Sequence, residues 1–116
     1  MAQNTSPIFT LTPNCPVVAV AAANTARDGS GTLVTLFTAG ANGSRVESIT
    51  FTSAQATAAA SSAMIGAVYL TDSAGINPRL INEVAIATAT PSTTAVGATS
   101  TITYTDGLII PTGCIV

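Results

Sequence analysis

The chain has 116 residues, three of them basic and five acidic, no histidine and a formal net charge of −2. That length suits one domain with a real core. A charged fraction of 7%, against roughly 25% in an ordinary soluble domain, argues against nucleic-acid binding, whose affinity comes mostly from neutralising phosphates.

The same deficit has two readings: a surface covered by neighbouring molecules, or one coated in Thr and Ser hydroxyls. Ala, Thr and Val dominate, and the aromatics are Phe9, Phe37, Phe51, Tyr69 and Tyr104. Small side chains bury little area each, so the core is expected to be lean. No run approaches the roughly 20 mainly apolar residues of a spanning helix, and no secretory signal pattern opens the chain, so a membrane location is not expected.

Residues 1–16, punctuated by Pro7, Pro13 and Pro16, read as an extended N-terminal arm, because proline removes ladder donors. Ile8, Phe9 and Leu11 in that arm need cover, either from a neighbouring subunit or from the domain at 17–116. Val17 to Ala22 reads as a strand, and Asp28 to Gly31 as a turn. Thr32 to Thr38 and Arg45 to Ser53 read as a hairpin around Asn42-Gly43, a pair that accepts the positive φ of tight loops. In the second arm of that hairpin Arg45, Glu47, Ile49 and Phe51 share one face, and Val46, Ser48, Thr50 and Thr52 the other.

Ala54 to Ala63 reads as a connecting loop, with a short alanine-driven helix as the alternative. Met64 to Thr71 is a strand, and Leu80 to Thr88 pairs back across a loop containing Gly75 and Pro78. Leu80, Val84 and Ile86 face one way, and Ile81 and Glu83 the other. After a polar loop between Pro91 and Gly97 come Ser100 to Thr105, a turn at Asp106-Gly107, and a short strand from Leu108 to Ile110. Pro111 to Gly113 then turns into Cys114, Ile115 and Val116, a run that either ends abruptly or pairs with another subunit. Seven or eight short strands separated by turn residues predict an all-β protein: an antiparallel β-sandwich, jelly-roll-like, with the extended arm.

The residues offer little chemistry. Without histidine or lysine the commonest bases, metal ligands and Schiff-base or phosphate-loop groups are missing. Asp28 and Asp106 precede glycines, where turn geometry accounts for them. No catalytic, cofactor-binding or metal-binding residue is assigned, and an enzyme is not expected. Cys15 and Cys114 read either as two small apolar core residues or as a bridge worth up to roughly 4–5 kcal/mol in the chain-entropy model. Arg45 with Glu47, and Arg79 with Glu83, read as neighbouring charges that mark register or an interface.

The run TARDGSGTLVTLFTAGANGSRVESITF, followed by VYLTD, LINEVAI, TATPS and GLIIPTG, resembles small structural proteins of tailed bacteriophages. The resemblance covers about Asn24 to Gly113. It implies a virion component, best fitting a head decoration or cement protein: a homotrimer on the capsid exterior, assembled in the host cytoplasm, with the major capsid protein and copies of itself as partners. A tail- or fibre-associated module, and a glycan or host-surface binding module, are the alternatives. Ile8, Phe9, Leu11, Arg45 and Glu47 are the candidate interaction residues.

Overall fold

The computed structural model describes residues 14–22, 24–54 and 60–116. Their regular structure is all strand: β1 (Ser44–Thr52), β2 (Met64–Leu70), β3 (Arg79–Ile86) and β4 (Thr99–Ile110). They form two antiparallel pairs, β1 with β4 and β2 with β3. The all-β expectation holds, with four strands where seven or eight are expected. The β2–β3 hairpin follows the sequence reading closely, because β-branched runs flank a loop with turn residues. Its register slips once, between Val68 and Tyr69, where Ile81 is left without a partner. Val84 packs against the core and Ile86 is buried, while Ile81 is exposed.

The hairpin expected around Asn42-Gly43 does not form. The local turn is there: the Gly43 amide donates to the Gly40 carbonyl at 2.9 Å, and Gly43 has φ 75°. The runs on either side, however, pair with other segments. Thr38 bridges Ile115, the Leu36 and Phe37 amides donate to the Val116 carbonyl, and the Ala39 amide donates to the Cys114 carbonyl. Beyond the turn, β1 pairs with β4. The turn is thus a corner in one strand of a long ribbon, matched by a corner at Pro111 to Gly113 in the other. The two corners are tied by Gly113 N–H donating to the Ala39 carbonyl (3.1 Å) and Thr112 Oγ1 donating to the Ala41 carbonyl (3.0 Å). A Cβ on Gly43 would sit 2.8 Å from the Ile110 carbonyl oxygen, so the ribbon's own close approach demands glycine there. Asn-Gly fixes the backbone angles, which a hairpin and a paired corner share, and leaves the partner open.

The structure departs from three further expectations. Asp106-Gly107 is no turn between strands, since β4 runs through it. Val46 pairs with Leu108 and Ser48 with Thr103, so Tyr104 to Gly107 bulge out opposite Glu47. Such bulges re-aim side chains. Val46 and Ile49, expected on opposite faces, are both buried at 8% exposure. Val17 to Ala22 is not a strand: these residues are exposed and form no ladder among the described residues. Of the stretch Ala54 to Ala63, residues 55–59 lie outside the described residues and 60–63 are not helical.

One core joins both pairs. Val46 and Ile49 of β1, Ile102 and Ile110 of β4 and Val68 of β2 are buried in it with Ala39, Cys114 and Val116. The C-terminal run therefore pairs inside this chain. On its far side the Thr71 amide donates to the Ile115 carbonyl (3.0 Å), and the Ile115 amide donates to Thr71 Oγ1 (2.9 Å). Cys114 is buried, Cys15 is exposed and both are free thiols. Neither the bridge nor a core position for Cys15 is found. The pairs meet where β3 runs beside β4, with Ser100 Oγ donating to the Ala85 carbonyl (2.7 Å), and where the Phe51 ring of β1 lies on Gly66 of β2, leaving a Cβ there only 2.8 Å from the ring. Gly66→Ala is expected to destabilise the fold by about 1–3 kcal/mol, as overpacking does. Gly40→Ala, with nothing within 4 Å, should be near neutral. Denaturant midpoints of the two variants check this.

Candidate interaction surface

Alternation along a strand sends every second side chain outward, and here several outward positions are large and apolar. Ile110 is fully buried while Ile109 beside it is 66% exposed, and Ile65, next to buried Gly66, is 61% exposed. Val96, in the loop before β4, and Ile76, in the β2–β3 loop, are also exposed. These exposed side chains lie at separate places on the fold, Val96 before the start of β4 and Ile109 near its end, Ile65 at the start of β2 and Ile76 in the loop beyond its end.

Two open grooves accompany them. One, of about 610 Å³, lies among the start of β2, the end of β3 and the start of β4. Ala63, Met64, Ile65, Ala85, Ile86 and Ala98 supply its apolar wall, and no charged residue lines it. The other, of about 410 Å³, lies beside the β2–β3 loop and carries Asp72 and Arg79.

The outer face of the β1–β4 pair is different in kind. The register sets Ser48 opposite Thr103, Thr50 opposite Thr101 and Thr52 opposite Thr99, and all of these are exposed. Thr50 and Thr101 share a hydrogen bond between their Oγ1 atoms at 2.9 Å. The result is a hydroxyl grid without charge.

Charges are local. Arg45 Nε meets Glu47 Oε1 at 2.8 Å along the edge of β1, both well exposed, so the expected neighbours are together. The expected Arg79–Glu83 pair is not formed, because Glu83 Oε2 instead receives Arg27 Nη2 at 2.7 Å. Asn24 makes that possible. Its side-chain amide donates to the Ser30 and Thr32 carbonyls, and its Oδ1 accepts from the Ala26 amide. This folds residues 24–32 into a loop that brings Arg27 over β3, and Tyr69 OH donates to the Ala26 carbonyl to hold it there. Exposed pairs of this kind contribute about 0–1 kcal/mol. Ile8, Phe9 and Leu11 lie outside the described residues. Among the described residues no three His, Cys, Asp or Glu side chains converge to hold a metal, and no helix is long and apolar enough to cross a membrane.

Ile65, Ile109 and Val96 are surface residues that sequence reasoning did not single out. The Ile109-Ile110 doublet carries the signal, since neighbours in a strand cannot both face the core.

Two carboxylates are set below their usual range by donors to the charged form. Asp28 is lowered first by the Ser30 hydroxyl and then by the Ser30 amide. Asp72 is lowered first by the Asn77 side-chain amide (2.8 Å) and then by the Ile76 amide, with the Ala74 amide also donating.

The chain matches no protein-family model, no curated protein and no solved structure.

The Asp72 contacts make a pH prediction. A folded pKa below the unfolded value means the loop is fully held above the ordinary 3.8, and is released as pH falls through the lowered native value. The Ala74 and Ile76 amide resonances should titrate with a midpoint below 3.8, and Asp72→Ala should abolish that titration. A midpoint at or above 3.8 would reject this reading.

Proposed function

We propose that this chain is a structural protein of a virion, a decoration or cement subunit that binds and stabilises the capsid lattice from outside. One observation carries the reading: apolar side chains such as Ile65, Ile109 and Val96 stand in solvent on a chain with almost no charge to keep it apart from its neighbours. Buried contact area is what such a surface offers, and long-lived interfaces are more apolar than ordinary surface. The phage-like run from Asn24 to Gly113 supports the same assignment.

In this reading the partners are the major capsid protein and copies of the chain itself as a homotrimer. The role is passive adhesion, not catalysis, and the location is the capsid exterior after assembly in the host cytoplasm. Two antiparallel pairs around one core fit a jelly-roll-like β-sandwich, and Ile8, Phe9 and Leu11 join the contact surface. The hydroxyl grid on β1 and β4 favours a second reading, a module for glycans or a host surface carried on the tail or a fibre, because paired Thr hydroxyls donate and accept toward sugar hydroxyls.

Co-sedimentation with undecorated capsid shells tests the first reading. The chain should pellet with the shells, and Ile109→Asp should weaken its capture about tenfold or more, the loss of one well-buried apolar contact, while circular dichroism stays unchanged. Wild-type protein left in the supernatant at saturating shell concentration would reject it.

A further inference from the structure

We propose that this chain self-associates by segment exchange: the run Val17 to Ala22 of one copy seats in the apolar groove formed by β2, β3 and β4 of a second copy. Val17-Val18-Ala19-Val20-Ala21-Ala22 has the β-branched, chargeless composition of a buried strand, and yet Val17 is 90% and Val20 64% exposed. Among the described residues no backbone hydrogen bond reaches it. A strand sequence without a strand partner among the described residues of its own chain suits one in a second copy.

The groove is the complementary surface on the same molecule. Alanines at 63, 85 and 98 keep its floor open, Met64 and Ile65 supply apolar walls, and no charged residue lines it. Valines and alanines fit beside alanines without steric conflict, and seating them strands no buried charge. Met64 at 41% and Ile65 at 61% exposure show that the described residues leave the groove open.

The area decides how the exchange is arranged. Fully burying a side chain of this size is worth about 1.5–3 kcal/mol, or roughly 60–120 Å² at 25 cal/mol per Å². Val17, Val18, Val20, Met64 and Ile65 together then remove roughly 300–600 Å² per seated segment. Stable interfaces bury about 1,200–2,000 Å², so one seated segment is too little. A closed pair, in which each copy donates one segment and receives one, doubles this to roughly 600–1,200 Å², which meets the lower limit of that range. Closure also leaves no free segment or groove to propagate a filament. The inference does not rest on the virion reading, because it concerns the chain alone.

Sedimentation velocity of the purified full chain over a concentration series, without capsid shells, tests it. The expected result is one closed oligomer that dissociates on dilution. Val20→Asp and Ile65→Asp should each weaken association about tenfold or more with unchanged circular dichroism, because both positions are exposed in the single chain. Cys15, exposed and free, lies two residues before Val17 and serves as a probe. With Ala63→Cys on one wall or Ala98→Cys on the other, mild oxidation should give a disulfide between chains at Cys15 from at least one of the two. Monomer at every concentration, wild-type association in both aspartate variants, or bridges only within one chain would each overturn the proposal.

Discussion

The fold depends on the pairing of Cys114, Ile115 and Val116 with two separate parts of the chain at once. On one side their backbone bonds to Leu36, Phe37 and Ala39, and on the other to Thr71. The first contact lengthens the β1–β4 ribbon past its paired corners, and the second fastens the end of β2 to that ribbon. Buried hydrogen bonds net about 0.5–1.5 kcal/mol each, modest singly. Here they also fix where Cys114 and Val116 enter the core beside fully buried Ile110. Were this run unpaired, the two antiparallel pairs would meet where β3 runs beside β4, with Ser100 Oγ donating to the Ala85 carbonyl (2.7 Å), and where Phe51 lies on Gly66, and the core would lose Cys114 and Val116.

That arrangement explains why the exterior is so apolar. A core made of Val, Ile and Ala from two short pairs is thin, and it accommodates one member of each adjacent apolar couple. Ile110 goes in and Ile109 stays out; on β2, Gly66 and Val68 go in and Ile65 between Met64 and Gly66 stays out. With three basic and five acidic groups in the whole chain, of which Arg27, Glu83, Arg45 and Glu47 are tied to one another, little charge remains to offset those exposed side chains. Contact with other molecules is the physical outlet for such a surface, and the capsid reading and the exchange of Val17 to Ala22 are two uses of the same property.

Much of this was legible in the residues, in a graded way. The all-β class, the β2–β3 hairpin and the inward faces of Val84 and Ile86 follow from alternation and from turn residues close in sequence. The Arg45–Glu47 contact follows from two-residue spacing on one strand. Partner choice was not legible. Asn42-Gly43 and Asp106-Gly107 each set a positive φ at glycine, but that local angle serves a corner at one site and a bulge at the other, and neither is the turn between strands that the dipeptide suggests. Pairing of Leu36 to Ala39 with the distant C-terminal run is decided by the shared core, which no local window contains. Arg27 reaches Glu83 across 56 positions only because Asn24 folds the intervening loop, so spacing pointed to Arg79 instead.

Amide hydrogen exchange of the isolated full chain, read residue by residue, tests the central pairing most directly. The amides of Leu36, Phe37, Ala39, Thr71, Ile115 and Val116 should be protected to nearly the level of the β2–β3 hairpin, while those of Val17 to Val20 exchange rapidly at dilutions where the chain is monomeric. Exchange at Leu36, Ile115 and Val116 as fast as at Val17 would show that the C-terminal run does not close the core and would contradict the account.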